Sequence, residues 1–172
     1  PMSEIQALPG PASAAALEAP PELSVVVTLY DEVGSLDELH TRAVAALEGI
    51  GRPFEIVYVD DGSRDRSWPM LERFAAADAR VKAIKLIRNY GEHVAITAGL
   101  DHSDADHTLI MACDLQDDPA AIPAIVGAAR RSRAVLERSA AGPGRREVAA
   151  YTRRMPATLA DQLVVAISSR AL

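Results

Sequence analysis

The sequence predicts an α/β fold in which helices flank a mostly parallel central sheet. Short runs of β-branched and other apolar residues alternate along the chain with segments of helical spacing. The first of these runs is apolar at nearly every position, as expected for a strand that is buried on both faces. Alternating strands and helices favour a parallel sheet, because each parallel connection needs a crossover. The 172 residues are enough for one domain with a hydrophobic core.

The individual elements follow from these patterns. Strands are predicted at 23–30, 54–59, 81–87 and 107–113. Helices are predicted after Ser35 and at 67–77, 92–102 and 119–129. Ser35 followed by Glu38 matches a capping box, in which each side chain would bond a backbone amide of the other residue.

The composition divides the chain into three parts. Residues 1–22 are rich in Pro and Ala without periodicity, which predicts a flexible leader. Residues 23–129 carry the strand and helix pattern of the main domain. Beyond residue 130, Arg and Ala dominate, and helical spacing at 146–154 and 160–167 predicts a C-terminal helical segment over 130–172.

Charge and cysteine content bound the cellular setting. The net charge of −6 argues against nucleic acid as a partner. The lone cysteine, Cys113, favours a reducing compartment. No apolar run approaches the ~20 residues that span a bilayer. We therefore expect a cytoplasmic location; peripheral contact with the inner face of the membrane and a homo-oligomeric state are both compatible with the sequence.

Acidic residues follow three of the four predicted strands. They are Asp31 and Glu32, then Asp60 and Asp61, then Asp114, Asp117 and Asp118. In open parallel sheets, ligands bind beyond the carboxyl ends of the strands. Each cluster alone has an ordinary alternative, such as a turn or the start of a helix, but three clusters together favour a binding site at this edge.

The segment from Asp114 to Pro119 is a candidate metal site. On an extended backbone, Asp114 and Gln116 would point to the same side and could offer oxygen to one cation. Mg²⁺ and Mn²⁺ prefer such ligands and complete their shells with water or phosphate oxygens. The alternative is a strand end followed by a helix whose first turn favours acids.

Two further segments carry candidate ligand-binding residues. Asp60-Asp61-Gly62-Ser63 follows a strand, and its carboxylates could accept hydrogen bonds from a base or a ribose; a plain Asp-Gly turn is the alternative. Arg88 follows the third strand, where a guanidinium could pair with a diphosphate. The glycine-rich motifs of dinucleotide enzymes and P-loop NTPases are absent, as are the serine hydrolase and zinc protease signatures.

Taken in order, these segments resemble the family 2 glycosyltransferases of GT-A fold, and especially the dolichyl- and undecaprenyl-phosphate sugar transferases. The resemblance implies a Rossmann-like GT-A nucleotide-binding fold over residues 23–129. The matching segments are Ser24–Glu32, Val59–Asp65, Arg88–His93, Ala98–Leu100 and Asp114–Asp117.

The resemblance implies roles for the candidate residues. Tyr30, Glu32 and Asp61 would contact the nucleoside, with Asp60 nearby. Asp114 and Gln116 would hold Mg²⁺ or Mn²⁺ on that diphosphate, and Asp114 and Asp117 are the candidate catalytic residues. The implied reaction transfers a sugar, with inversion, from a nucleoside-diphosphate sugar to a polyprenyl phosphate.

The sequence also departs from the family pattern. Thr28 stands where the family usually has Pro, Asp31 where it has Asn, and Ala112 where an acid often precedes the metal-binding Asp. The expected acceptor loop and interface helix are not recognisable beyond 130, where Gly142-Pro143-Gly144 marks a break. Two alternatives therefore stay open: the same donor chemistry with a soluble acceptor, and a non-catalytic nucleotide-sugar-binding module.

Overall fold

The structure is a computed structural model, and it describes residues 5–8, 19–105, 107–131, 148–151 and 165–168. Its strands are β1 (Ile5–Leu8), β2 (Leu23–Leu29), β3 (Phe54–Asp60), β4 (Val81–Leu86), β5 (His107–Ala112), β6 (Val148–Tyr151) and β7 (Val165–Ser168). Its α-helices are α1 (Leu36–Glu48), α2 (Ser67–Ala77), α3 (Glu92–His102) and α4 (Ile122–Arg131), with a 3-10 helix at Pro119–Ala121 leading into α4.

The main sheet has the order β1-β4-β3-β2-β5. Strands β2 to β5 are parallel, which confirms the predicted sheet, and β1 adds an antiparallel edge beside β4. In the register, Leu29 lies opposite Asp60, and Thr28 lies opposite Ala112. The carboxyl ends of β2, β3 and β5 therefore meet at one edge, as the sequence analysis required.

Helices cover both faces of the sheet. Helices α1, α2 and α4 pack on one face, where Leu36, Leu71 and Ile122 are fully buried. Helix α3 covers the other face and packs Ala95 and Ala98 against the sheet. Because neighbouring side chains of a strand point to opposite faces, a sheet covered on both sides needs apolar residues at every position. This explains why β2 and β3 are buried throughout.

The predicted capping box at the start of α1 is wrong. The Ser35 hydroxyl makes no cap and instead donates to the Glu32 carbonyl oxygen at 3.2 Å and to Glu32 Oε2 at 2.9 Å. Glu38 pairs with Arg42 at 3.1 Å. Ser35 already has helical dihedral angles, φ −100° and ψ −23°, whereas a capping hydroxyl usually comes from an extended residue.

Order does not begin at Leu23, as the sequence had suggested, because β1 lies inside the predicted leader. Residues Ile5–Leu8 pair with β4, with Ile5 opposite Leu86. This pairing covers the outer edge of β4, which would otherwise expose a row of amides and carbonyls. A four-residue edge strand carries too little periodicity to be recognised from sequence.

The predicted C-terminal helical segment is wrong where the structure describes it. Strands β6 and β7 form a separate antiparallel pair, with Val148 opposite Ser168. Such four-residue apolar runs fit a helical and a strand period equally well. The break at 142–144 lies outside the described residues, and the boundary near residue 130 stays a prediction. Among the helices that are described, none is long and apolar enough to cross a bilayer.

Candidate functional site

A cleft of about 230 Å³ opens at the carboxyl ends of β2, β3 and β5. The loops after these strands and the first turn of α3 form its walls. Its lining residues are Thr28, Leu29, Tyr30, Glu32, Asp61, Asn89, Gly91, Glu92, Ala95, Ala112, Cys113 and Asp114. Four of the predicted site residues therefore share one cleft: Tyr30, Glu32, Asp61 and Asp114.

Asp61 holds in place the loop after β4, which forms one wall of this cleft. Its buried carboxylate accepts a hydrogen bond from the Tyr90 amide at Oδ1 and from the Gly91 amide at Oδ2, both at 2.8 Å. These two bonds hold the loop after β4 against the turn after β3. Gly91 (φ +96°) then leads directly into α3.

Gly62 allows the same two loops to approach closely. It has a φ of +75°, and a Cβ built there would lie 2.4 Å from the Arg88 carbonyl carbon and 2.7 Å from the Asn89 nitrogen. Only glycine tolerates this dihedral angle together with so close a backbone contact. The Asp-Gly turn is thus a packing site as well as the support of the Asp61 carboxylate.

Asp60 does not line the cleft, although it neighbours Asp61. Its fully buried carboxylate accepts from the Ser63 amide at 2.8 Å, and Oδ2 lies 4.0 Å from Lys85 Nζ. Burial raises the pKa of Asp60, while the bonds from Ser63 and the charge of Lys85 oppose that rise. Since adjacent residues at a strand end point to opposite faces, Asp60 lies on the α2 side and Asp61 on the α3 side.

Arg88 also lies outside the cleft lining. Its guanidinium carbon sits 4.6 Å from the centre of the Tyr90 ring, in a cation–π contact. Asn89 and Glu92 also line the cleft, although the sequence pattern indicated no role for them. The signal that could have found them is Gly91, because a glycine before a helix lets the preceding loop turn toward the strand ends.

The Asp114 segment differs from the predicted extended arrangement. Strand β5 ends at Ala112, and Leu115 takes a left-handed φ of +60°. Asp114 Oδ1 accepts from the Gln116 amide at 3.0 Å, which closes a local turn. The exposed Asp114 lines the cleft, whereas the side chain of Gln116 does not.

Asp117 and Cys113 are buried beside this turn. The pKa of the Asp117 carboxyl is raised by burial and by the charge of Asp114. Burial raises the pKa of Cys113 to about 12, which favours the protonated thiol over the nucleophilic thiolate. Asp117 lies outside the cleft lining, and its predicted catalytic role stays a prediction.

Comparison with protein families identifies the family to which this chain belongs. The profile described as Glycosyl transferase family 2 matches residues 24–163. The chain belongs to glycosyl transferase family 2. This confirms the family expected from the order of the motifs.

Curated relatives are named undecaprenyl-phosphate 4-deoxy-4-formamido-L-arabinose transferase. One from Pseudomonas paraeruginosa is 49% identical over 105 residues, which are 60% of this chain and 31% of the relative. One from Edwardsiella ictaluri is 46% identical over 108 residues, covering 62% of this chain and 33% of the relative. The matched part of the chain thus spans about a third of the length of these relatives.

A solved structure supports the fold of this family 2 chain. The crystal structure of S. aureus TarS 1-349 superposes with a TM-score of 0.53 at 20% identity, covering 65% of this chain and 33% of TarS. This likeness confirms the predicted GT-A fold.

Proposed function

We propose that this chain forms the donor-binding part of a metal-dependent inverting glycosyltransferase, which moves a sugar from a nucleoside-diphosphate sugar to a polyprenyl phosphate. The observation that supports this most strongly is the shared cleft, where Asp61 after β3 and Asp114 after β5 face the same space. The polyprenyl acceptor is supported by the relatives, whose names specify undecaprenyl phosphate.

The nucleoside would bind along the β2 and β3 side of the cleft. Tyr30 is 36% exposed there and offers a ring face for stacking. Both Asp61 oxygens already accept a backbone amide, but a carboxylate has about four acceptor positions. Asp61 can therefore hold its loop and still accept a hydrogen bond from a base or a ribose.

The charge of the cleft supports metal dependence. Four carboxylates line it, from Glu32, Asp61, Glu92 and Asp114, and no Lys, Arg or His does so among the described residues. A diphosphate would be repelled by this lining unless a cation accompanied it. These four carboxylates are not gathered around one point: within residues 19–105 and 107–128, no three Asp, Glu, His or Cys side chains are placed so that they could together hold a metal ion. The lining therefore fits a metal ion that takes most of its ligands from the diphosphate and water.

Within this site, Asp114 would be the protein ligand of the metal. Its bond from the Gln116 amide fixes one carboxylate oxygen and leaves the other for the ion. Gln116 contributes through this amide, because its side chain lies outside the cleft lining. When bound, Mg²⁺ or Mn²⁺ neutralises the charge that develops on the departing nucleoside diphosphate.

The acceptor chemistry makes few demands on the protein. A polyprenyl phosphate is already anionic, so its oxygen can attack the anomeric carbon without a strong base. A bond forms between this oxygen and the anomeric carbon while the bond to the nucleoside diphosphate breaks on the opposite side, which inverts the configuration. A lipid acceptor also implies peripheral contact with the inner face of the membrane.

A thermal-shift screen tests the proposal. UDP-, GDP- and TDP-sugars are added with and without Mn²⁺, and a donor at about 100 times its Kd stabilises the fold by ~2.7 kcal/mol. We expect one nucleotide to stabilise the chain in the presence of Mn²⁺, and Asp114→Ala to abolish the effect. Asp101→Ala removes an exposed acid of α3 outside the cleft lining and serves as the control. Metal-dependent binding that survives in Asp114→Ala would count against the proposal.

A further inference from the structure

The loop after β2 is attached to the loop after β3 by its backbone. Three consecutive amides of the first loop each donate a hydrogen bond to a different side chain, two in the second loop and one at the first residue of α2. The pairs are Asp31 N with Ser63 Oγ at 2.9 Å, Glu32 N with Ser67 Oγ at 3.1 Å, and Val33 N with Asp65 Oδ2 at 3.1 Å.

Hydrogen bonds also run in the opposite direction. Asp31 takes a left-handed φ of +57°, and its Oδ1 accepts from the amides of Arg64 at 2.7 Å and Asp65 at 3.2 Å. We call Asp31, Ser63, Asp65 and Ser67 the loop clamp. Its bonds join the two loops in both directions, so neither loop can shift without breaking several of them.

Asp65 is the residue of the loop clamp that uses both carboxylate oxygens. Oδ1 accepts from the amide of Ser67, the first residue of α2, at 2.8 Å, and Oδ2 accepts from the Val33 amide of the facing loop. Burial opposes ionisation of Asp65, but the hydrogen bonds from Ser67 and Val33 outweigh it and lower the pKa of this carboxyl. Asp65 is therefore an ionised acceptor that shapes one loop and holds the other.

The loop held in this way carries two cleft residues and lies outside the hydrophobic core. Tyr30 and Glu32 line the cleft, while Tyr30 and Val33 are each 36% exposed. Neither Tyr30 nor Val33 belongs to the two buried hydrophobic clusters of the sheet. The bonds of the loop clamp therefore add a constraint on residues 30–33 that the hydrophobic core does not supply.

We propose that Asp65 positions the residues that bind the donor nucleoside and makes no contact with the nucleoside itself. It holds Tyr30 and Glu32 in the arrangement that binds the nucleoside; this inference rests on the proposed function. Asp65 lies outside the cleft lining, so its effect passes through the Val33 amide and the loop. When only a fraction of molecules has the competent loop arrangement, apparent affinity falls by that fraction.

The test uses Asp65→Asn, which preserves the shape of the side chain. The amide group keeps one acceptor and places an NH₂ against a backbone N–H, which breaks one of the two bonds. Asp78→Asn is the matched control. Asp78 accepts from the Arg80 amide at 2.8 Å, and also pairs with the Arg80 guanidinium at 2.7 Å, in the turn before β4, at the other end of the sheet.

Two probes separate positioning from general damage. UDP, GDP and TDP are titrated calorimetrically with Mn²⁺, and inorganic pyrophosphate is titrated with Mn²⁺ in parallel. We expect Asp65→Asn to weaken binding of the preferred nucleoside diphosphate about tenfold, which corresponds to a competent loop in about a tenth of the molecules. Binding of pyrophosphate, which needs the metal and Asp114 but not Tyr30, should change less than about twofold. Asp78→Asn should change neither affinity.

Different results would overturn the positioning role of Asp65 and the proposed donor site. Equal loss of nucleotide and pyrophosphate binding, or unchanged nucleotide affinity in Asp65→Asn, would overturn the positioning role alone. If the native chain binds pyrophosphate with Mn²⁺ but none of the three nucleotides, the proposed donor site is wrong, and the role of Asp65 falls with it.

Discussion

Substituting Gly62 by Ala should be among the most damaging single-methyl changes at the strand ends. The left-handed dihedral angle of +75° alone disfavours a residue with a Cβ by roughly 1–2 kcal/mol. The new Cβ would also lie 2.4 Å from the Arg88 carbonyl carbon, a backbone atom that cannot rotate away. Forced backbone shifts of this kind cost about 1–3 kcal/mol. We therefore expect Gly62→Ala to lower the free energy of unfolding by roughly 2–5 kcal/mol.

Gly51→Ala separates the two contributions. Gly51 has a similar φ of +68°, but nothing lies within 4 Å of the Cβ position. It should therefore cost only the dihedral term, roughly 1–2 kcal/mol. Urea denaturation followed by the fluorescence of Trp68, the single tryptophan, measures both variants. Equal losses in the two variants would refute the close approach of the Asp-Gly turn to the loop after β4.

Two other changes test the electrostatics of the fold. Burial lowers the pKa of His40 below its ordinary value of 6.5, so the unfolded chain binds more protons and the free energy of unfolding should fall as pH drops through 6.5. His40→Gln should flatten this dependence in urea titrations between about pH 5 and 8, and an unchanged slope would contradict the assignment. Lys82→Met should cost about 3–5 kcal/mol, because it leaves the Glu55 carboxylate, 1% exposed and 2.6 Å from the Lys82 ammonium, buried without its charge partner. Adding Glu55→Gln to Lys82→Met should recover part of that loss. If Lys82→Met alone is as stable as the native chain, the ion pair between Lys82 and Glu55 is refuted.

The sequence predicts the edge of the sheet on which the site lies, because that edge follows from local signals. Strands buried on both faces are apolar throughout, and each ends at a recognisable polar residue. Parallel pairing then brings these ends together, so Asp61 and Asp114 share the cleft as the sequence analysis required. Strand periodicity could also have separated Asp60 from Asp61, since adjacent residues point to opposite faces.

Other features depend on contacts that leave no local pattern. The turn at Leu115 removes the extended geometry that would have paired Gln116 with Asp114, and nothing in a leucine indicates a positive φ. The pairing of β1 with β4 is likewise decided by a distant partner. The loop clamp could not be predicted from sequence, because Ser63 and Asp65 are common turn residues and their partners lie in a loop about 30 residues away.

The most direct test of the account is a crystal structure of the chain with Mn²⁺ and its preferred nucleoside diphosphate, with the metal located by anomalous scattering. We expect a manganese ion bound to Asp114 and to diphosphate oxygens, with the base stacked near Tyr30 and Asp61. A manganese ion away from Asp114, or a nucleotide bound outside the cleft at the ends of β2, β3 and β5, would contradict it.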